Sequence, residues 1–281
     1  MRTGVKNKRQ SAVKTVFALA ALLTVLLVIA AMLPGKPAAP QPTMPVITHP
    51  TDPTAETLPP PPANPYGRND FQYKNGYLTC LKGESVLGID VSSHQGDIDW
   101  QQVADAGIQF VMIRAGYRGY ETGDLVEDSY AQENYEGARA AGLNIGAYFF
   151  SQATSQEEAA EEAQFFLEII NGWELSMPVV YDWEYIGENA RTYGMDKRTV
   201  TDCTLVFCKM LASVGYSPML YFNRHQAQDF LYLEELTDYP FWLALYSDRM
   251  TYPYKLAMWQ YTEKGKVPGI EGYVDIDLYF P

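Results

Sequence analysis

Eight short apolar runs between residues 86 and 280 are the feature that most restricts the fold of this chain. Each run is seven to nine residues long and rich in β-branched or aromatic residues, which is typical of buried β-strands. Eight such strands are what a closed parallel barrel requires. The runs are VLGIDVS (86–92), FVMIRAGY (110–117), LNIGAYFF (143–150), MPVVYDWEY (177–185), SPMLYFN (217–223), FWLALYS (241–247), LAMWQYT (256–262) and VDIDLYF (274–280).

The segments between the runs indicate which barrel this is. The connections after the first four runs are helix-like, and several of them end at a glycine, which commonly follows the C-terminus of a helix. After the fifth run only the short segment HQAQDFLYLEEL is helix-like, and short loops join the last three runs. The sequence therefore predicts an α/β fold, an irregular TIM-like (β/α)5(β)3 barrel over residues 86–281. The alternative is an open doubly wound sheet, which the absence of a Gly-rich phosphate loop after any run disfavours.

The N-terminus has the pattern of a membrane anchor. Residues 1–16 contain five Lys or Arg and no acid, and residues 17–33 form an uncharged run, FALAALLTVLLVIAAML. That length is near the lower limit for a membrane-spanning helix, and a basic flank stays on the cytoplasmic side. We expect a basic cytoplasmic tail (1–16) and a transmembrane signal-anchor helix (17–33), with the rest of a single-pass protein outside the cytoplasm. A signal peptide cleaved near Ala30 and Ala31, followed by secretion, is the alternative.

Two short regions separate this anchor from the barrel. Residues 34–65 are rich in Pro and Thr, which predicts a disordered, extended linker. Residues 66–85 contain FQYKNGYLT, which predicts a hairpin lead-in with a turn at Asn75-Gly76. Without the first sixteen residues the chain has 16 Lys and Arg against 34 acids, a net charge of −18. This charge excludes nucleic acid and anionic lipid as partners of the exported part.

The cysteines predict neither a disulfide framework nor a metal site. Cys203 and Cys208 lie on one predicted helix, where their Cα atoms would be about 8 Å apart, too far for a disulfide. Together with Cys80 they fit no zinc pattern. We expect small core residues, no metal and no other cofactor.

The acidic residues converge on one end of the predicted barrel. Asp90 is near the end of the first run, Asp182 and Glu184 end the fourth, and Asp275 and Asp277 belong to the eighth. Working residues of a parallel barrel gather at the carboxyl ends of its strands. We therefore expect three separate stretches of chain to direct carboxylates into one cavity.

The YDWEY stretch adds a same-face pair. Side chains two apart on a strand point to the same side, so Asp182 and Glu184 face together while Trp183 points away. Two carboxylates this close cannot both ionise freely, so one can hold a proton near neutral pH. A proton donor beside a carboxylate suits cleavage of a glycosidic bond. A divalent-metal site formed by the same carboxylates is the chemical alternative. It is disfavoured because histidines are lacking near the cluster: His94 alone is close to these strand ends.

Aromatic residues late in the runs favour a sugar substrate. Flat apolar rings with a polar group can stack on sugar faces and bond to hydroxyl groups. Some of these rings will instead serve core packing. The residues are Tyr148, Phe150, Tyr181, Tyr221, Trp242, Tyr246, Trp259 and Tyr261.

Taken in order, several of these stretches resemble glycoside hydrolase family 25, the N-acetylmuramidases or lysozymes. They are GIDVSSHQGDIDW, FVMIRAGY, IGAYFFSQA, VVYDWEY, MLYFN, FWLALY, MWQYT and GIEGYVDIDLYF, and the similarity covers residues 86–281. The resemblance implies a barrel of five β/α units and three further strands. It also implies hydrolysis of the β-1,4 bond between N-acetylmuramic acid and N-acetylglucosamine in peptidoglycan glycan strands. We expect a monomer that needs no cofactor.

The resemblance also implies roles for particular residues. Glu184 matches the general acid, and Asp182 matches the partner that stabilises the charged intermediate or positions the 2-acetamido group. Asp90 and Asp275 match the acids that complete the catalytic set. The positions that match substrate-lining residues are Tyr148, Tyr221, Trp242 and Gln260.

The sequence departs from the family pattern at two positions, and two other functions stay open. Many family members have His where Phe149 stands and Asn where Asp277 stands, and neither change replaces a catalytic acid. A barrel that binds cell wall without catalysis is one alternative. A chitinase-like hydrolase of N-acetylglucosamine polymers is the other, although that group usually carries a longer DxxDxDxE run.

Overall fold

The computed structural model of the protein describes residues 37–49 and 58–281. The predicted cytoplasmic tail (1–16) and signal-anchor helix (17–33) lie outside the described residues. Within the described ranges, no helix is long and apolar enough to cross a membrane.

The described chain forms a two-stranded hairpin and a nine-stranded sheet. All eight apolar runs form strands, as predicted, and the unpredicted strand β5 adds to the edge of β4. The hairpin strands are β1 (Phe71–Lys74) and β2 (Tyr77–Cys80). The sheet strands are β3 (Val86–Val91), β4 (Phe110–Arg118), β5 (Leu125–Glu127), β6 (Asn144–Ser151), β7 (Val179–Trp183), β8 (Pro218–Asn223), β9 (Phe241–Ala244), β10 (Met258–Gly265) and β11 (Val274–Tyr279).

Five α-helices are present in the described part of the chain, and four of them begin at a capping side chain. Asp99, Ser155, Asp196 and Asn223 each accept a hydrogen bond from a backbone N–H group in the first turn, which stabilises the helix start. The helices are α1 (Trp100–Asp105), α2 (Ala131–Ala140), α3 (Gln156–Ile170), α4 (Lys197–Ser213) and α5 (Arg224–Asp229), with 3-10 turns at Ser93–Gln95 and Leu233–Glu235.

Eight strands of the described sheet close into a ring. Their order is β3-β11-β10-β9-β8-β7-β6-β4, and β4 pairs back with β3. Every neighbouring pair is parallel except for β11, which runs antiparallel to both β10 and β3. The expectation of an all-parallel ring is therefore wrong for the last strand. Only residues 266–273 connect β10 to β11, and a parallel crossover needs about a dozen residues or more.

The ring separates two apolar cores. The smaller one fills the barrel interior and includes Phe110, Met112, Met219 and Met258. The larger one lies between the sheet and the surrounding helices. The three cysteines, all within the described ranges, are buried and unpaired, which confirms their prediction as core residues.

The hairpin ahead of the barrel forms as predicted. Asn75 and Gly76 both have positive φ angles, 53° and 89°, as a two-residue type I′ turn requires. The Leu78 N–H group donates a hydrogen bond to the Tyr261 hydroxyl at 3.3 Å, and the Phe71 ring contacts Trp259 edge-on. The hairpin thus covers the outer face of β10.

The end of the Pro-rich linker is attached to the barrel. The Asn64 N–H group donates to the Pro253 carbonyl oxygen at 2.8 Å, and Lys255 N–H donates to Pro62 at 2.7 Å. Pro61 is buried. The expectation of a disordered spacer does not hold for residues 58–65, because the 253–255 loop offers backbone groups that the segment can bond.

A glycine on β6 permits close strand packing and gives a test of the fold. A Cβ atom at Gly146 would lie 2.5 Å from the Met112 sulfur and 2.7 Å from the Pro178 carbonyl oxygen. The backbone oxygen cannot move without disturbing β7. We expect Gly146→Ala to lower the free energy of unfolding by about 1–3 kcal/mol, the usual cost of overpacking. Urea unfolding of the purified domain would measure it.

Gly67→Ala is the matched control, because its added Cβ would meet only Asp70 at 3.7 Å. We expect that variant to unfold as the wild type does. Equal stability of both variants would contradict the close packing described at Gly146.

Candidate active site

The carboxyl ends of the parallel strands open into a cleft of about 780 Å³. All eight residues singled out from the sequence line it. They are Glu184, Asp182, Asp90, Asp275, Tyr148, Tyr221, Trp242 and Gln260.

The alternation of side chains along β7 and just beyond it explains why Asp182 and Glu184 point to the same side. Val180 belongs to the interior core, and Asp182, two residues on, faces the same side. Trp183 points outward, where its ring lies 5.1 Å from that of Phe230. Glu184 follows the strand and reaches the cleft partly exposed, whereas Asp182 is only 5% exposed. The predicted orientation of the pair is confirmed.

The antiparallel direction of β11 brings Asp275 to the cleft, whereas Asp277 is fully buried and does not line it. Asp275 is opposite Asp90 in the β11–β3 register, and Asp277 is opposite Gln260 in the β10–β11 register. Because β11 starts at the open end of the barrel, its first residues meet the last residues of β3. The prediction that both strands contribute acids to one cavity is therefore confirmed, although the strand runs in the opposite direction.

Gln260 links three groups on the cleft wall. Its Nε2 donates to Asp90 Oδ2 at 2.7 Å. Its Oε1 accepts from the hydroxyl groups of Tyr221, at 3.0 Å, and Tyr246, at 3.1 Å. Trp242 lies beside them, with its ring centroid 4.9 Å from that of Tyr221. These bonds fix the aromatic rings that face the cavity.

Asp182 and Glu184 both have raised pKa values, which favour their protonated states. Burial raises the pKa of Asp182 well above its usual range, and the Glu184 charge raises it further. Burial also raises the pKa of Glu184 to about 7, with the Asp275 charge adding to the effect. Since each charge disfavours the other, the pair holds a proton near neutral pH.

The acids of β3 and β11 have raised pKa values for the same reasons. Burial raises the pKa of Asp275 to about 6, and the nearby Glu263 charge contributes. Burial, followed by the Asp275 charge, raises the pKa values of Asp90 and Asp277 well above their usual range. The cleft floor is therefore a site where low polarity and like charges retain protons.

Arg114 also lines the cleft, and the sequence reading did not select it. Its Nε donates to Asp128 Oδ2 at 2.7 Å, and its Nη2 donates to Ser93 Oγ at 3.1 Å. The charge of Arg114 lowers the pKa of Asp182, opposing the effect of burial. The sequence feature that could have identified Arg114 is its position as a basic residue inside the apolar run FVMIRAGY.

The aromatic candidates divide between the cleft and the outer core. Tyr181, Trp259 and Tyr261 belong to the core outside the ring. Phe150 and Tyr246, two of the aromatic residues named from the sequence, line the cleft. Four further cleft residues were not selected: Tyr120 and Ile186 lie on loops, whereas Tyr117 and Glu263 lie within β4 and β10.

Among the residues that the structure describes, no three His, Cys, Asp or Glu side chains are arranged to hold a metal ion.

The family model described as glycosyl hydrolases family 25 matches residues 89–270, which include most of the ring and all of β7. The chain belongs to this family. The match begins next to Asp90 and ends just before β11, so the strand that carries Asp275 lies beyond it. The resemblance found in the sequence is confirmed, and with it the assignment of the chain to the glycoside hydrolases.

Relatives and solved structures agree with the family. YegX of Escherichia coli K12 is 31% identical over 69% of this chain and 70% of its own length. The autolytic lysozyme of Clostridium acetobutylicum is 29% identical over 69% of this chain and 56% of its own. The modular autolysin LytC of Streptococcus pneumoniae, solved with a synthetic peptidoglycan ligand, superposes with a TM-score of 0.61 at 27% identity. That match covers 70% of this chain and 47% of LytC, so this chain spans about half of that protein.

Asp277 gives a stability test of the cleft electrostatics. Its Oδ1 accepts from Trp242 Nε1 at 2.8 Å, and a side-chain hydrogen bond between Asp277 and Asp90 raises the pKa of Asp90. Because its pKa is raised in the folded state, its contribution to stability is present at low pH and is lost as pH rises. We expect Asp277→Asn to be near neutral at about pH 4 and to stabilise by about 1–3 kcal/mol at about pH 8. Chemical unfolding at both pH values measures the difference.

Asp124→Asn, which removes an exposed carboxylate, is the control and should change stability little at either pH. A gain for Asp277→Asn that is larger at acidic than at alkaline pH would contradict the raised pKa.

Proposed function

We propose that the protein is a peptidoglycan hydrolase of the lysozyme type, an N-acetylmuramidase. The bond that it would cleave is the β-1,4 linkage between N-acetylmuramic acid and N-acetylglucosamine. The observation that carries the proposal is the Asp182–Glu184 pair, which faces a cleft together with Asp90 and Asp275. Membership of family 25 and the lysozymes among the relatives support it.

Access decides which acid of the pair donates the proton. Asp182 is almost fully buried, whereas Glu184 is partly exposed to the cleft, so a glycosidic oxygen can reach Glu184. With its pKa raised to about 7, Glu184 is about half protonated at neutral pH and mostly protonated below it. In this proposal Glu184 protonates the leaving oxygen as the bond to the anomeric carbon breaks.

Asp182 would support the positive charge that develops on the sugar. Protonation of Glu184 removes the neighbouring charge that raises the pKa of Asp182, and the Arg114 charge then opposes the effect of burial. Asp182 Oδ1 is buried and has no hydrogen-bond partner among the described residues, so no hydrogen bond inside the protein neutralises the charge at this oxygen. The side chain lines the cleft floor, so its charge would stabilise the cationic ring of a sugar bound above it.

The rings around the acids would hold the glycan. Tyr148 and Tyr221 each contact Trp242 edge-on, which fixes the three rings against one another. Their faces and hydroxyl groups suit the apolar faces and hydroxyls of sugars. Peptidoglycan glycan strands are therefore the proposed partner of the cleft.

We also propose that the barrel works outside the cytoplasm, tethered through residues 17–33. The support is the uncharged run and the basic residues that precede it.

Replacing the proposed acid is the direct test. We expect Glu184→Gln to lower the rate of wall digestion by about 10²–10⁴-fold, the usual loss when a general acid is removed. The amide keeps the shape of the side chain but has no acidic proton to transfer. Release of reducing ends from purified peptidoglycan measures the rate, and mass spectrometry identifies the sugar at each new end.

Glu188→Gln removes an exposed carboxylate four residues away and is the matched control, expected to keep wild-type activity. New N-acetylmuramic acid ends would support the proposal. New N-acetylglucosamine ends would indicate the other linkage, and binding to walls without release of ends would indicate a non-catalytic module.

The raised pKa of Glu184 also predicts the pH dependence of the reaction. The acid is active only when protonated, so kcat/KM should fall as pH rises above about 7. Initial rates on soluble glycan fragments across the range would give the apparent pKa of the alkaline limb. A rate that keeps rising into alkaline solution would contradict the role of Glu184 as the acid.

A further inference from the structure

Glu184 stands beyond the last hydrogen-bonded pairs of its strand. The β6–β7 pairing ends at Ser151 and Trp183, and the β7–β8 pairing ends at Asp182 and Tyr221. The sheet ladder therefore does not hold the Glu184 backbone. Buried carbonyl groups need partners, and at this point they come from side chains.

The first partner follows β6, the strand on one side of β7. Gln152 is fully buried, and its Nε2 donates at 2.8 Å to the carbonyl oxygens of both Glu184 and Ser151. Its Oε1 accepts from the Thr192 hydroxyl at 2.9 Å. Because the oxygen is occupied by a donor, the amide nitrogen must face the two carbonyl groups.

The second partner follows β8, the strand on the other side. Gln226 of α5 is buried, and its Nε2 donates to the Trp183 carbonyl oxygen at 3.0 Å. Its Oε1 accepts from the Asn223 N–H group at 2.6 Å, which fixes the orientation of this amide as well. Two consecutive carbonyl groups of the catalytic segment are thus held from both neighbouring strands.

We propose that Gln152 and Gln226 are positioning residues that set the location of the Glu184 side chain. The inference rests on the proposed function, in which Glu184 is the acid. The two amides continue the hydrogen bonding of the sheet past the end of the ladder, where the chain must leave the strand. In a buried site such bonds are strong and leave the segment little freedom. A proton donor displaced by about 1 Å can lose about 10²-fold in rate.

The test replaces Gln152 by a side chain of similar length without hydrogen-bonding groups. We expect Gln152→Met to lower kcat by about 10–100-fold, with KM within about threefold of wild type, because substrate contacts remain while the acid is misplaced. Thr192→Val removes only the hydroxyl that orients Gln152 and should give a smaller loss in kcat. It keeps the test available if Gln152→Met fails to fold.

A double variant separates positioning from general damage. In the Glu184→Gln background the acid is already absent, so adding Gln152→Met should lower the residual rate by less than about threefold. Asn64→Leu is the matched control, because Asn64 also donates a side-chain amide bond to a backbone carbonyl, that of Tyr252. We expect it to keep wild-type kcat.

Two results would overturn the inference: a folded Gln152→Met variant with wild-type kcat, or the same fold-loss with and without Glu184. Full activity of Glu184→Gln alone would instead overturn the proposed function. The two failures are therefore distinguishable.

Discussion

The closure of the sheet by one antiparallel strand is the constraint on which the cleft depends. β11 bonds to β3 on one side and to β10 on the other, and this completes the ring. The same pairing sets Asp275 opposite Asp90. A parallel strand in this place would carry the start of VDIDLYF to the closed end of the barrel. The presence of Asp275 in the cleft is thus a consequence of strand direction.

Closure also determines the electrostatics. The ring excludes water from its interior, and the carboxylates of β3, β7 and β11 face a shared space. Burial is the largest cause of the raised pKa in Asp90, Asp182 and Glu184, with neighbouring acids next. Such a site disfavours the fully ionised state and so works against folding at high pH. A group of acids that holds protons near neutral pH is what proton donation to a leaving oxygen requires.

The sequence predicted those parts of the structure that depend on local periodicity. Period two in YDWEY gave the shared orientation of Asp182 and Glu184, and the eight apolar runs gave the strands. The short connection before β11 is visible in the sequence, but the direction of the strand also depends on its partners, which the apolar runs do not record. Arg114 read as one charge in an apolar strand, because its bond to Asp128 forms only after β4 and the following loop are in place. Residues 58–65 looked like a free linker because their partners lie about 190 residues further along the chain.

The position of Glu184 explains why two buried glutamines matter at the end of β7. A residue within the ladder stays at the level of the cleft floor, as Asp182 does. To act as the proton donor that we propose, Glu184 must stand higher, next to a bound sugar, so its backbone has to leave the sheet. Leaving the sheet would strand buried carbonyl groups, which costs about 1–3 kcal/mol for each. The side-chain amides of Gln152, which follows β6, and Gln226, which follows β8, bond to these carbonyl groups without adding another residue pair to the ladder. They allow the acid to project while its main chain stays fixed, which a free loop could not do.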